Sequence, residues 1–219
     1  MPRALFEKVG SAAYISHLDL MRLFQRSFKR AGLPLTHTHG FNPRPSVSIA
    51  LPMSLGMESR CELLDFDLEG ETLSGEEIRT RLNEAMIDGV RVLEVYDSGR
   101  KLKELSLMDC RLVLEYDSGV PENAGEKIQT LFSQEEVVVD KKGKQGLTPQ
   151  NIAPLIRSME ISSSESGELT LLCRICCQNP SLNPMLIGTA ITKYLPECAP
   201  DFVRCCRLEL YDAEETVFR

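Results

Sequence analysis

Twice along its length the chain runs through the same order of patterns: a strand-like segment, an amphipathic helix, further strand-like segments, a second helix and a closing strand. In the first pass, residues 3–9 have strand composition, and Ser16 can cap a helix whose electropositive first turn suits Asp19. That helix is predicted to run to about Ala31. At about 100° per residue, Leu20, Met21, Leu23, Phe24, Phe28 and Ala31 share one broad arc, and Arg22, Arg26, Lys29 and Arg30 fall on the opposite one. Gly32 supplies a C-terminal stop and Pro34 prevents continuation. Residues 35–38 then read as extended, 40–45 as a rigid loop, and 46–51 and 61–68 as strands. Ser74-Gly75-Glu76-Glu77 is a capping box ahead of a helix with Ile78, Leu82 and Ala85 inward. Gly89 ends that helix before a strand over 90–96.

Residues 98–103 are polar and basic with a glycine, the composition of a linker. Beyond it the order recurs. Residues 107–116 form a strand, 121–132 a helix with Ala124, Ile128 and Leu131 inward, and 136–140 a short strand. Residues 155–161 and 169–177 make a hairpin across 162–167, Asn183-Pro184 opens a last helix with Ile187, Ala190, Ile191 and Tyr194 on one face, and 203–211 is the final strand. The expectation is an α+β protein of two tandem ferredoxin-like (βαββαβ) sandwiches with antiparallel sheets, one over 1–97 and the other over 104–219. Each half carries one extra short extended segment, at 35–38 and 136–140. The duplication is one of architecture, with little residue identity between halves.

A length of 219 residues, 42% of them hydrophobic and 26% charged, suits a globular protein and argues against disorder or a fibrous repeat. No apolar run approaches the roughly 18–20 residues of a membrane helix, and the first residues lack a signal-peptide layout, so a cytoplasmic location and no membrane partner are expected. The eight cysteines are then expected to be reduced thiols. The net charge of −7 is unevenly spread. Residues 1–60 hold eight Lys and Arg against Glu7, Asp19 and Glu58, a net +5, which leaves −12 on the remainder. A basic end on an acidic chain points to an anionic partner met at one place.

All three histidines, His17, His37 and His39, fall within 23 residues, close to Arg44 and the basic helix. Imidazoles titrate near neutrality, so His17 and His39 are candidates for acid–base catalysis and His37 and His39 for binding; each also reads as an ordinary helix-start or solvated edge residue. No standard zinc spacing accompanies them and no cofactor is expected. The loop Gly40-Phe41-Asn42-Pro43-Arg44-Pro45 sets an aromatic, an amide and an arginine between backbone-restricting prolines, which presents Phe41, Asn42 and Arg44 at little ordering cost. The same residues also suit a plain strand connector. The stripe Arg22, Arg26, Lys29 and Arg30 can track a nucleic-acid backbone or be a solvated helix face, and Lys141-Lys142-Gly143-Lys144 is a second basic segment. Cys173, Cys176 and Cys177, with Cys205 and Cys206, resemble a metal cluster by spacing, yet they fall in strands where cysteine behaves as a small buried hydrophobe. Neither a phosphate-binding glycine loop nor a nucleophile elbow is present.

Ser16-His17-Leu18-Asp19, Arg30-Ala31-Gly32-Leu33-Pro34, Gly40-Phe41-Asn42-Pro43, Ser48-Ile49-Ala50-Leu51-Pro52 and Gly56-Met57-Glu58-Ser59, in that order, resemble the bacterial radical-SAM-linked family. The resemblance covers residues 1–97 and continues through Leu155-Ile156-Arg157-Ser158 and Asn183-Pro184, with Arg44 where the family often carries histidine. It implies a domain found beside, or fused after, a B12-binding radical SAM protein. The Cys-x3-Cys-x2-Cys motif of the radical enzyme is absent from this sequence. The implied role is therefore that of an accessory subunit, and the basic N-terminal surface suggests that it presents RNA for modification. Two alternatives stand beside it: a metal-independent endonuclease, since tandem ferredoxin-like domains with histidines also resemble CRISPR repeat endonucleases, and a protein-binding assembly factor.

Overall fold

The computed structural model describes residues 2–70, 73–143, 146–163 and 167–219. The chain divides into two compact units, Met1–Leu102 together with Arg219, and Lys103–Phe218. The architecture is α+β, with four α-helices and antiparallel sheets among the described residues.

The first unit consists of β1 (Pro2–Lys8), α1 (His17–Arg30), β2 (Val47–Ala50), β3 (Glu58–Phe66), α2 (Gly75–Glu84) and β4 (Val90–Asp97). Its strands lie in the order β4-β1-β3-β2 and every neighbouring pair is antiparallel. Alternation along the strands sends Ala4, Phe6, Leu64, Phe66 and Val92 to one face, where they meet Leu20, Phe24 and Phe28 of α1 and Ile78 and Leu82 of α2 in one buried cluster. The arc read for α1 holds: Leu20, Phe24 and Phe28 are buried, Met21, Leu23 and Ala31 half-buried, and the basic stripe exposed.

Local chemistry sets the helix ends. The Ser16 Oγ accepts from the Asp19 N–H at 3.2 Å, and the Ser74 Oγ accepts from the Glu77 N–H at 3.2 Å. At the far end of α1, Gly32 takes φ +66°, and the N–H groups of Gly32 and Leu33 close on the carbonyls of Lys29 and Phe28 at 3.3 and 2.9 Å, a Schellman stop. Helix α2 is clamped to the edge strand β4. Asn83 accepts from the Val92 N–H at 2.8 Å and donates to its carbonyl at 2.9 Å, which occupies edge groups that would otherwise invite pairing. A Cβ on Gly75 would sit 2.1 Å from the Val95 carbonyl oxygen.

The second unit runs β5 (Leu107–Glu115), α3 (Ala124–Phe132), β6 (Val138–Gly143), β7 (Gly146–Asn151), β8 (Ile156–Ser163), β9 (Glu168–Cys176), α4 (Met185–Tyr194) and β10 (Phe202–Tyr211). Its main sheet has the order β10-β5-β9-β8, and β6 and β7 pair as a separate ribbon. Ala124, Ile128 and Leu131 of α3 and Ile187, Ala190 and Ile191 of α4 are buried as their spacing predicts. Tyr194 instead stays partly exposed and bonds through its hydroxyl to the backbone of Val138.

Two expectations need correction. Residues 35–38 do not form a strand; they are held by isolated bridges, Leu35 to Leu68 and His37 to Pro45. The short segment at 136–140 is one arm of a hairpin whose other arm, β7, has no apolar alternation, contains Pro149 and is largely exposed, so periodicity could not reveal it. Lys144 and part of the 162–167 turn lie outside the described residues.

Two predictions follow from this packing. Phe28→Ala empties a site closed by Phe66 at a centroid distance of 5.0 Å, and urea denaturation is expected to show a loss of about 3–5 kcal/mol. On the second sheet, Arg174 donates to both oxygens of Asp109 at 2.8 and 3.0 Å, and Tyr211 donates to one at 2.8 Å. Burial pushes the Asp109 carboxyl up, but these hydrogen bonds outweigh it and hold the group below the usual carboxylate range. A depressed carboxylate stabilises the fold above its unfolded pKa and loses that contribution as pH falls through the folded value. The stability gap between wild type and Asp109→Asn is therefore expected to be full at neutral pH and to narrow in acid below about pH 4, as read by melting temperature.

Candidate functional site

Helix α1 decides which of the sequence candidates meet. His17 is its first residue and is exposed. His37 lies beyond its C-terminus, beside Lys29 and Gly32 in the wall of one cleft. Fourteen helical residues at about 1.5 Å each put roughly 20 Å between the two ends. The histidines adjacent in sequence are thus not one cluster: His37 and His39 share an exposed hairpin, and His17 stands at the other end of the helix. An acid–base pair of His17 and His39 acting on one bond has no geometry here.

The cationic stripe also divides. Arg22 pairs with Asp19 at 2.9 Å, and the Ser16 hydroxyl together with Arg22 holds the Asp19 carboxyl below its ordinary range. Arg30 turns to the end of α2, donating to the Ala85 carbonyl at 2.5 Å and to the Ser27 Oγ at 3.3 Å, while Ser27 donates to the same carbonyl at 3.1 Å. Arg30 is a structural cap for α2, a cation on the negative end of a helix. Arg26 and Lys29 make no hydrogen bond or ion pair among the described residues and stay exposed on one helical row.

The glycine-proline loop is the tip of a small hairpin. Thr38 N–H donates to the Arg44 carbonyl at 2.8 Å, Arg44 N–H to the Thr38 hydroxyl at 3.0 Å, and Ser46 N–H to the Thr36 carbonyl at 2.8 Å. Its base is tied to the segment after β3: Thr36 donates through its N–H to the Asp67 carbonyl and through its hydroxyl to the Asp67 carboxylate, each at 3.0 Å. This framework holds the backbone while leaving the tip side chains unengaged. Phe41 is 106% exposed, and His39, Asn42 and Arg44 are exposed without side-chain partners among the described residues.

Between the hairpin and the last turn of α1 lies a cleft of about 480 Å³. Phe28, Leu33 and Leu35 make its apolar floor, with Pro34 and Pro45 at the sides. Gln25, Lys29, His37 and Glu69 form the polar rim, with the His37 Nδ1 4.0 Å from the Glu69 carboxylate. Gln25 and Glu69 were not among the sequence candidates. Gln25 lies between the two arcs of α1, and Glu69 reaches the cleft only because its N–H donates to the Pro34 carbonyl at 2.8 Å, a contact no local pattern announces. A second cavity of the same unit, about 190 Å³, carries Asp67, Asp97 and Tyr96, whose hydroxyl burial pushes up to about 12. Its acidic lining does not suit an anion.

At the opposite end of α1 an apolar surface is exposed: Tyr14 (67%), Leu18 (66%) and Leu55 (63%). The turn that carries Leu55 is held there by the Gly56 N–H, which donates to the Ala13 carbonyl at 3.0 Å. In the second unit all of the cysteines beyond Cys61 are buried, and the eight are free thiols. Hydrogen bonding of the Cys110 thiol to Cys173 and Cys205, then burial, drives it well up, and burial pushes Cys177 up to about 11, so these groups are packing rather than nucleophiles. Among the described residues no group of three or more His, Cys, Asp or Glu is placed to hold a metal ion. Lys141 and Lys142 lie on β6 of the second unit, and Lys144 is outside the described residues. No helix among them is long and apolar enough to cross a membrane.

The chain belongs to a family conserved in bacteria and described as uncharacterized (DUF2344), whose model matches residues 2–184. No curated protein matches it. Among solved structures it is similar to a chain of a Cbf5-Nop10-Gar1 complex, at 8% identity and a TM-score of 0.48 over 95% of this chain. This chain spans about half, 48%, of that one. A second similar structure, an unknown protein from Galdieria sulphuraria, has 10% identity and a TM-score of 0.26, with 97% of this chain and 96% of that chain covered.

The two classes of arginine on α1 are separable by stability. Arg30→Ala is expected to cost about 1 kcal/mol by removing the cap on Ala85, and Arg26→Ala to stay within about 0.5 kcal/mol, both read by chemical denaturation.

Proposed function

We propose that the protein is a binding module that presents RNA to a B12-type radical SAM protein, as the resemblance of its N-terminal motifs implies. The observation that carries the reading is the hairpin tip. A fully exposed Phe41 stands on a hydrogen-bonded hairpin beside an unpaired Arg44, close to the unpaired Lys29 and Arg26 of α1. An exposed aromatic flanked by free cations suits a base stacked on the ring with its phosphates neutralised. Sheet orders β4-β1-β3-β2 and β10-β5-β9-β8 support two ferredoxin-like sandwiches, the second with the β6-β7 ribbon inserted after its first helix.

The partner is proposed to dock on the other end of α1, where Tyr14, Leu18 and Leu55 expose apolar surface next to His17. This separates the two roles along one helix: protein at its start, RNA at its end. A protein-binding assembly factor would set the same basic face, with Arg26, Lys29 and Arg44, against an acidic partner surface; the exposed ring of Phe41 beside these cations favours a stacked base instead. No observation favours the endonuclease reading.

Arg26→Ala/Lys29→Ala/Arg44→Ala is expected to weaken single-stranded RNA binding and, with about 0.7 counterions released per charge, to reduce the slope of log K against log salt by roughly 2. Arg30 is left intact in that variant because its loss would also disturb the fold. Leu18→Glu is expected to abolish recovery of the radical SAM protein with a tagged copy from the native host while RNA affinity is kept. Unchanged RNA affinity and slope in the triple variant would reject the proposed surface.

A further inference from the structure

We infer that the cleft between the hairpin and the last turn of α1 is a pocket for one unpaired nucleobase, selective for a base that offers adjacent N–H donors, with guanine the best fit. The inference rests on the RNA-binding reading and deepens it by naming which base the surface holds. Three observations converge. The cleft is of ligand size, about 480 Å³ against the roughly 300–1,000 Å³ usual for small-molecule sites, and its apolar lining, with Pro34 exposed and Pro45 partly exposed over the buried Phe28, Leu33 and Leu35, suits the face of a flat ring.

Its rim carries both signs of charge. It holds the Glu69 carboxylate, with Gly32 at the negative end of the α1 dipole in the same lining. It also holds Lys29 in the last turn of α1, with Arg26 one turn earlier along the helix and Arg44 next to Pro45 on the adjoining hairpin arm. An anion alone would be repelled by Glu69, and a simple cation would be repelled by the lysine. A nucleotide satisfies both, because its base edge can donate while its phosphate is negative. Guanine places N1–H and N2–H2 side by side, so both can donate to the two oxygens of one carboxylate, whereas uracil offers a single ring N–H flanked by carbonyl oxygens that Glu69 would repel.

His37 adds a further polar group to the same rim: its Nδ1 lies 4.0 Å from the Glu69 carboxylate, on the hairpin arm that bridges to Pro45. Phe41, at the tip of the same hairpin, is left to stack the next base along the strand.

The test uses the full chain and four labelled heptaribonucleotides, UUUGUUU, UUUAUUU, UUUCUUU and UUUUUUU, titrated at fixed salt. Wild type is expected to bind the guanine heptamer roughly tenfold more tightly than the all-uridine one. Glu69→Gln removes a negative charge and keeps the side-chain shape, so simple electrostatics would tighten all four equally. The pocket instead requires the guanine preference to collapse toward unity. Arg26→Ala/Lys29→Ala is expected to weaken all four in parallel and keep the ratio. Equal binding of the four heptamers by wild type, or a ratio unmoved by Glu69→Gln, overturns the pocket and leaves RNA binding standing. Failure of wild type to bind any of the four overturns the RNA reading itself, and the pocket with it.

Discussion

The burial of two phenylalanines of α1 against two of the sheet sets everything else in the first unit. Phe24 meets Phe6 edge-on at 4.7 Å and Phe28 meets Phe66 at 5.0 Å, and all four are fully buried. Large rings in contact admit little rotation of a helix over a sheet, since a turn of one residue would expose about 100° of the wrong surface. With that rotation set, Arg22, Arg26 and Lys29 must face water, and the two ends of α1 carry different surfaces. One end gathers the apolar residues Tyr14, Leu18 and Leu55; the other gathers the cleft and the hairpin.

Within this frame charge is spent unequally. Arg22 is neutralised by Asp19, which itself serves the helix start, and Arg30 closes the end of α2 through the Ala85 carbonyl. A stripe that is uniform by composition is therefore two structural cations and two free ones. The two free cations gain a third only through Arg44, whose backbone is fixed by Thr38 on the facing arm. The net +5 of residues 1–60 overstates the usable field, because it counts Arg3, which is buried in a pair with Asp65 beyond that segment.

The elements built from local signals were readable in the sequence. Ser16, Gly32, Ser74 and the apolar spacing of α1 to α4 act within one or two turns, so their helices appear where periodicity and caps place them. What escaped was set by contacts distant in the chain. The segment at 35–38 has strand composition but finds only single bridges to Leu68 and Pro45, and the ribbon arm β7 is stabilised by pairing with β6 rather than by an apolar face. The same division governs the site. Phe41 and Arg44 were visible because a proline-rich loop announces itself. Arg30 looked like a binding residue because Ala85 is 55 positions away, and Glu69 was invisible because it reaches the cleft through the Pro34 carbonyl. Histidines that cluster in sequence were separated by the length of the helix between them.

The small number of free cations bears on how such a module can work. Three phosphate contacts release about two counterions, so the electrostatic part of affinity is modest at physiological salt, and one stacked aromatic adds about 1–3 kcal/mol. On the proposed reading, a surface of that strength would select an RNA weakly by itself. Coupled to a partner that also touches the RNA, it would act at an effective concentration in the millimolar range for a short connection, and a weak but base-selective contact would then be enough to decide which nucleotide is held. The separation along α1 fits that arrangement, because a partner seated on Tyr14, Leu18 and Leu55 would leave the hairpin and its cleft clear, about 20 Å away along the helix.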